Sequence, residues 1–265
     1  MRLQLYSGLH SEQPQERLGK EAHWEDLQSG ARVVWTADGQ PVRHIAPRSR
    51  LPVGRYNSRK AGRMLHHQSR GNGSVGGEKL ALMICEIDPA VVDFRSQHIR
   101  FDLQVDGMER SYFPDIVTLM HDGSIVVVEV KKDDRWQRDL AYRSKIDTVR
   151  GVCDDLGWRF EIWTQASMAP SARVRDNIAQ IQMQRFIGID ETQSLMVERA
   201  LKKNGGQLTI REIGRALGGV LGAGDFARGL MCRGVLSLPL DELVCDATIV
   251  SAFERCASPS LEHAA

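Results

Sequence analysis

Two apolar runs, Tyr112–Met120 and Ile125–Val130, flank the polar triplet His121-Asp122-Gly123 in the middle of the chain. This layout predicts a β-hairpin closed by a tight turn containing Asp-Gly. The second run is mostly Val and Ile, the composition of a strand covered on both faces. Such a strand excludes a charge that lacks a partner or a metal, because burying it alone costs several kcal/mol. Yet Asp115 stands in the first run, and Glu129 and Lys131 stand at the end of the second. Glu129 and Lys131 are two apart and leave the same face of an extended strand. With the hairpin paired about its turn, Asp115 lies on the neighbouring strand within reach of that face. Two carboxylates and an ammonium meeting there can bind a divalent ion and orient a water. They fit equally a structural ion-pair cluster, or charges fraying out at a strand end. Spacing alone does not separate these readings.

The chain has 265 residues, enough for one large or two ordinary domains. With 42% hydrophobic and 26% charged residues it is expected to pack as a globular fold rather than stay disordered. No run approaches the roughly 18 apolar residues that span a membrane, and Met1-Arg2-Leu3 leads into no signal-peptide core. A cytoplasmic protein with no membrane partner is therefore expected. The cysteines (Cys85, Cys153, Cys232, Cys245 and Cys256) are odd in number, far apart and without zinc spacing, which points to reduced thiols.

A net charge of +1 conceals a local asymmetry: no Asp or Glu occurs between Gly39 and Gly77. Arg43, Arg48, Arg50, Arg55, Arg59, Lys60, Arg63 and Arg70 stand there among prolines, glycines and serines, with His44, His66 and His67 between them. Such a stretch cannot bury a core by itself, and its uncompensated charge suits a phosphate backbone. Arg55, Arg59, Lys60 and Arg63 are the candidate DNA contacts, and a solvated basic linker is the plain alternative. Residues 71–77 (GNGSVGG) then form a flexible joint. Before this stretch, Trp24 and Val33-Val34-Trp35 are the firm apolar points of residues 1–38. They suggest a short strand ending at Asp38-Gly39, to which no chemistry is assigned.

After the joint, Glu78–Glu86 (EKLALMICE) reads as a helix whose acidic first residue suits the dipole. Asp88-Pro89 ends it, and Val91–Phe94 resumes as a strand. Ile99–Val105 alternates cleanly up to the Asp106-Gly107 turn. Beyond the hairpin, Lys132-Asp133-Asp134 opens one long helical pattern carrying Trp136, Leu140, Ile146, Val149 and Val152, stopped by Gly157. Trp158–Thr164 (WRFEIWT) is a last strand, and a helix over Ala172–Phe186 closes the unit. The order helix, three or four strands, helix, strand, helix describes an α/β fold: a mixed sheet with helices on its faces and the hairpin at its centre.

Pro114-Asp115 followed by Glu129-Val130-Lys131 resembles the PD-(D/E)xK signature of restriction-endonuclease-like nucleases. Glu78 on a helix, the run EIDPAVVDFRSQ (Glu86–Gln97), the YFPD hairpin and the WRFEIWT strand together resemble the TnsA family over about residues 50–185. These are endonuclease subunits of heteromeric transposases. The resemblance implies a restriction-endonuclease-like fold with Glu78 as a helix-borne carboxylate, Asp115 as main metal ligand, Glu129 as second ligand and Lys131 as catalytic lysine. The Val130 carbonyl would be a further ligand. Gln97 matches the family's Gln after the first strand, in a catalytic or a structural capacity. Some members carry Gln where this chain has Glu129, and the segment before residue 50 departs from the pattern.

The hard carboxylate oxygens suit Mg²⁺, with Mn²⁺ as a substitute. The implied substrate is double-stranded DNA at transposon ends, where the subunit nicks the strands ending 5′. A DDE-type transposase would process the 3′ ends, and an ATPase regulator is the other implied partner, contacted through the C-terminal part. A bacterial protein, nucleoid-associated when bound to DNA, follows from the same resemblance.

From Glu191 the pattern changes. A helix ending at Met196–Leu201 leads through Asn204-Gly205-Gly206 and Leu208-Thr209-Ile210 into Arg211–Leu217. Ala223–Leu230 gives a third short helix, and Cys232–Leu238 a strand. This is the outline of a winged helix. Its third helix carries only Asp225 and Arg228 as charges, which favours protein docking over base reading. The expected organisation is an unassigned extension over 1–49, a nuclease domain over 50–187 and a winged-helix-like domain over 188–265. Two other readings stand beside the transposase subunit: a stand-alone restriction or junction-resolving nuclease of the same fold, and a non-catalytic DNA-binding adaptor.

Overall fold

The computed structural model describes residues 22–27, 29–36, 42, 53–67, 77–105 and 107–254. The expected Asp38-Gly39 turn, most of the glycine joint and the basic residues on either side of 53–67 lie outside these residues.

The chain begins with two antiparallel pairs, β1 (Ala22–Asp26) with β2 (Arg32–Thr36) and β3 (Val53–Ser58) with β4 (Gly62–His67). Helix α1 (Glu78–Ile87) follows, then β5 (Val91–Ser96), β6 (Ile99–Val105), β7 (Met108–Tyr112), β8 (Ile116–Met120) and β9 (Ile125–Lys131). The expected hairpin is β8–β9, antiparallel, with Gly123 at φ 83° in its turn. It sits at the centre of a four-stranded sheet ordered β10-β9-β8-β5, in which β10 (Arg159–Thr164) pairs parallel to β9. A mixed sheet results.

Period-two alternation along the hairpin divides the core. Ile116, Val126 and Val128 face one cluster, built with Leu80, Leu82 and Met83 of α1 and with Ile178 and Ile181. Val117 and Val127 face a second cluster, with Ile99 and Phe101 of β6 and with Ile146 and Val149. Both faces are buried, which is why the run is so uniformly Val and Ile.

Tyr112 does not belong to the hairpin. It ends β7, which pairs with β6 in a second sheet ordered β1-β2-β6-β7. The pairing of 91–105 with 108–120 is thus split: Ser96 opposes Ile116 in one sheet and Phe101 opposes Tyr112 in the other. The residues between, Gln97-His98 on one side and Phe113-Pro114-Asp115 on the other, carry the chain across.

The long helix expected after Lys132 is also divided. A 3-10 turn over Asp134–Arg138 is capped by Asp133, and α2 (Leu140–Asp155) starts afresh because the Asp139 side chain accepts from the Tyr142 amide at 3.0 Å. An Asp that caps the amides following it interrupts a helix more readily than it continues one. Leu140, expected on the apolar stripe, is exposed, while Ile146, Val149, Val152 and Cys153 are buried.

The basic stretch is not irregular where it is described. On β3–β4 one face buries Tyr56, Ala61 and Met64. Its turn is tied to α1 through Glu86, a fully buried carboxylate that accepts from Ser58 Oγ and from the Arg59 amide at 3.0 Å. Lys60 Nζ donates to the carbonyls of Cys85 (3.1 Å) and Asp88 (2.5 Å), capping the end of that helix.

After β10 come α3 (Gln165–Met168), α4 (Ala172–Met183) and a 3-10 turn over Gln184–Phe186, where one helix was expected over Ala172–Phe186. The remainder is α5 (Glu191–Lys203), β11 (Gln207–Thr209), α6 (Ile210–Ala216), α7 (Ala223–Met231), β12 (Leu236–Ser237) and β13 (Ile249–Ala252). β11, β13 and β12 form a three-stranded antiparallel sheet, of which the sequence pattern showed only β12 as a strand, and that over-long. This part shares the core of α1 and α4: Ile178, Ile181, Leu201 and Leu230 are in one cluster, and Asn177 Nδ2 donates to the carbonyls of Leu240 (2.8 Å) and Glu242 (2.7 Å). Cys85, Cys153, Cys232 and Cys245 are free thiols. Among the described residues no helix is long and apolar enough to cross a membrane.

Glu86→Ala leaves two buried donors without an acceptor and removes the link between β3–β4 and α1. Unfolding free energy is expected to fall by about 2–3 kcal/mol, read as a lowered urea midpoint with an unchanged slope.

Candidate active site

The crossing between the two sheets creates the site. At Gln97 the backbone takes φ 50°, the one left-handed non-glycine among the described residues. Its amide donates to the Asp115 carbonyl at 3.0 Å, joining the two crossing segments. Continuing the β8–β9 register by one residue from Ile116–Val128 puts Asp115 opposite Glu129. Asp115, Glu129 and Lys131 then share the face that Val117 and Val127 turn to the second cluster.

Asp115 Oδ2 accepts from the Val130 amide at 2.7 Å, which anchors the carboxylate against β9 just where that strand leaves the core. Burial pushes the Asp115 carboxyl well above the usual carboxylate range, and the charges of Glu129 and Glu78 push it further. The Val130 amide and Lys131 oppose this in part. The position is short of positive charge.

Glu129 is buried and accepts three hydrogen bonds. Lys131 Nζ (2.6 Å) and Tyr142 Oη (2.7 Å) donate to Oε1, and Tyr112 Oη (2.5 Å) donates to Oε2. One tyrosine comes from the end of β7 and the other from the first turn of α2, so three elements fix one carboxylate. Burial raises both phenols well above their ordinary value, with the Glu129 charge adding to it. Both therefore remain donors. Lys131 Nζ also lies 4.4 Å from the Tyr142 ring centroid.

The four residues of the expected catalytic set are distributed unevenly. Asp115, Glu129 and Lys131 meet, with the Val130 backbone between them. Glu78, on the first turn of α1, is near enough for its charge to act on Asp115. It does not complete a metal cage: among the described residues no three His, Cys, Asp or Glu side chains form a group able to hold an ion. Gln97 is buried behind Asp115, and its Oε1 has no hydrogen-bond partner among the described residues. Of the candidate DNA contacts, Arg55, Arg59 and Arg63 are exposed on the β3–β4 hairpin. Lys60 is turned inward as the helix cap described above, so its ammonium serves the fold.

The donor set nevertheless suits a hard divalent ion. Asp115, Glu129 and the Val130 carbonyl are oxygen ligands of the kind Mg²⁺ and Mn²⁺ take. A cation there would favour the charged form of Asp115, opposing the burial and like charge that push its carboxyl upward. Tyr112 and Tyr142 were not legible as site residues. For Tyr142 the available signal was a tyrosine in the first turn of α2, on the stripe that carries Ile146 and Val149.

Residues 88–165, less than a third of the chain, match the family model described as TnsA-like endonuclease N terminal. The matched span runs from the end of α1 through β10 and contains Gln97, Asp115, Glu129, Val130 and Lys131, while Glu78 precedes it. No curated protein matches the chain.

Tyr112→Phe deletes a buried hydrogen bond to Glu129 and is expected to cost about 2 kcal/mol. Tyr142→Phe, at a half-buried position, should cost less. Thermal melts of the two variants side by side check the order.

Proposed function

We propose that the chain is a metal-dependent DNA endonuclease of the TnsA type, a subunit that nicks the strands ending 5′ at transposon ends. The observation that carries this reading is the family match over 88–165 enclosing Asp115, Glu129 and Lys131, three residues that the fold gathers at one strand end. Asp115, Glu129 and the Val130 carbonyl would hold the ion, Mg²⁺ or Mn²⁺, with Glu78 supplying further negative charge from α1. When bound, the ion supplies a polarised phosphate oxygen and a water of lowered pKa. Tyr112 and Tyr142 hold the Glu129 carboxylate in place. Lys131 offsets charge that develops on the phosphate.

A DDE-type transposase, handling the 3′ ends, and an ATPase regulator complete the assembly. The order helix, strand, two helices, two strands over 191–252 is consistent with the winged-helix reading and supports it. Its α7 carries Asp225 and Arg228, and these pair with each other at 3.1 Å. A recognition helix with its charges already paired supports docking to a protein, the regulator, rather than reading of bases. Arg55, Arg59 and Arg63, on the outward face of β3–β4, are the phosphate contacts of the nuclease part.

With the neighbouring transposase present, wild-type protein is expected to nick a labelled transposon-end duplex in Mg²⁺ and not in EDTA. Lys131→Ala should slow this by ~10²–10³-fold. Asp115→Ala should abolish it while leaving DNA and partner binding intact. Cutting of unrelated DNA without the transposase would favour a stand-alone nuclease, and partner binding with no cutting in any assembly would leave an adaptor. Neutralising Arg55, Arg59 and Arg63 together should flatten the slope of log affinity against log salt by about 3 units. An unchanged slope would return the hairpin to a purely structural role.

A further inference from the structure

We propose that Lys145 of α2 is a DNA-phosphate-binding residue of the nuclease site, gripping the DNA backbone beside Asp115, Glu129 and Lys131; this rests on the endonuclease reading above. Lys145 Nζ lies 5.1 Å from the Tyr112 ring centroid and 5.2 Å from that of Tyr142, the two phenols that hold Glu129. It is half-buried, and among the described residues no carboxylate forms an ion pair with it. Glu129 attracts it at longer range, while Lys131 and Arg110 repel it. Arg110, exposed on β7, likewise has no acidic partner among the described residues, its guanidinium reaching only Met108 Sδ at 3.5 Å.

Two lysines, Lys131 and Lys145, thus stand against the rings of Tyr112 and Tyr142, with Arg110 near enough for its charge to act on Lys145, while Glu129 is already bonded to Lys131 and both phenols. An ammonium placed against two aromatic rings is held out from the helix without being consumed by a carboxylate. Like charges so gathered are under mutual repulsion that a bound anion relieves. The site's own chemistry names that anion: a phosphodiester, which accepts charge-assisted hydrogen bonds from lysine. A helix position facing the core is ordinarily apolar, as Ile146 and Val149 are, so the packing of this stripe gives no reason for a lysine there.

The test measures the affinity of the full chain for a fluorescein-labelled duplex across a salt series in EDTA, so that binding is read apart from cleavage. Lys145→Met is expected to lower the slope of log affinity against log salt by about one unit, equally on two unrelated sequences. Lys145→Arg should restore it, and thermal melts should be alike for all three proteins. Lys145→Gln provides a second neutral variant should the methionine perturb folding. An unchanged slope in both neutral variants, with metal-dependent nicking intact, would overturn the proposal and leave the endonuclease reading standing. A lowered slope in a chain that never nicks DNA would keep the phosphate contact and overturn the endonuclease. A wild-type chain that binds no duplex would overturn both.

Discussion

Where the chain passes from one sheet to the other, twice, the amide of Gln97 meets the carbonyl of Asp115 at 3.0 Å. Each crossing alone would be a loose corner. Bonded to each other, they open a seam between two sheets at a defined point, and the side chains at that seam are brought against α2. Gln97 takes a backbone conformation that costs a non-glycine residue about 1 kcal/mol, and it is held there by burial and by bonds on both sides, its own carbonyl accepting from the Val42 amide at 3.0 Å. A strained residue bonded to the backbone of Asp115 is the pattern expected where position matters more than local stability.

The seam also accounts for how Glu129 is held. A carboxylate this buried needs its lone pairs satisfied, and the strand that carries it offers only Lys131 on the same face. The other two donors come from β7 in the second sheet and from α2, which begins anew at Asp139. The break in the helix is therefore tied to the site: the Asp139 cap sets the turn from which Tyr142 reaches Glu129. Asp115 has one main-chain donor, the Val130 amide, and its burial beside Glu129 and Glu78 favours the neutral carboxyl.

Away from the site, the basic hairpin and the C-terminal unit are joined to the same core. Glu86 and Lys60 make reciprocal use of the β3–β4 turn and the end of α1, and Arg185, following α4, lies over Tyr56 of the hairpin at 5.4 Å. β3–β4, α1, α4 and the helices after residue 190 pack as one cluster.

The sequence by itself determined the hairpin about His121-Asp122-Gly123, the helix starting at Glu78, a strand over 158–164 and the meeting of Asp115, Glu129 and Lys131. All of these follow from periodicity and turn chemistry acting within a few residues, or from one motif whose spacing a single hairpin satisfies. Tyr112 is the instructive miss. In the apolar run it reads as the start of the hairpin, whereas the structure ends one sheet with it and starts another at Ile116. No local pattern marks a strand that changes sheets, because its residues remain extended on either side. The same reason hid Tyr142 and Lys145: their role depends on which side chains α2 is packed against, a contact between elements that the local pattern on either side of the Asp134–Arg138 turn does not mark. Lys60 shows the converse, a cation that composition assigns to solvent and that the packing of a turn against a helix end draws inside.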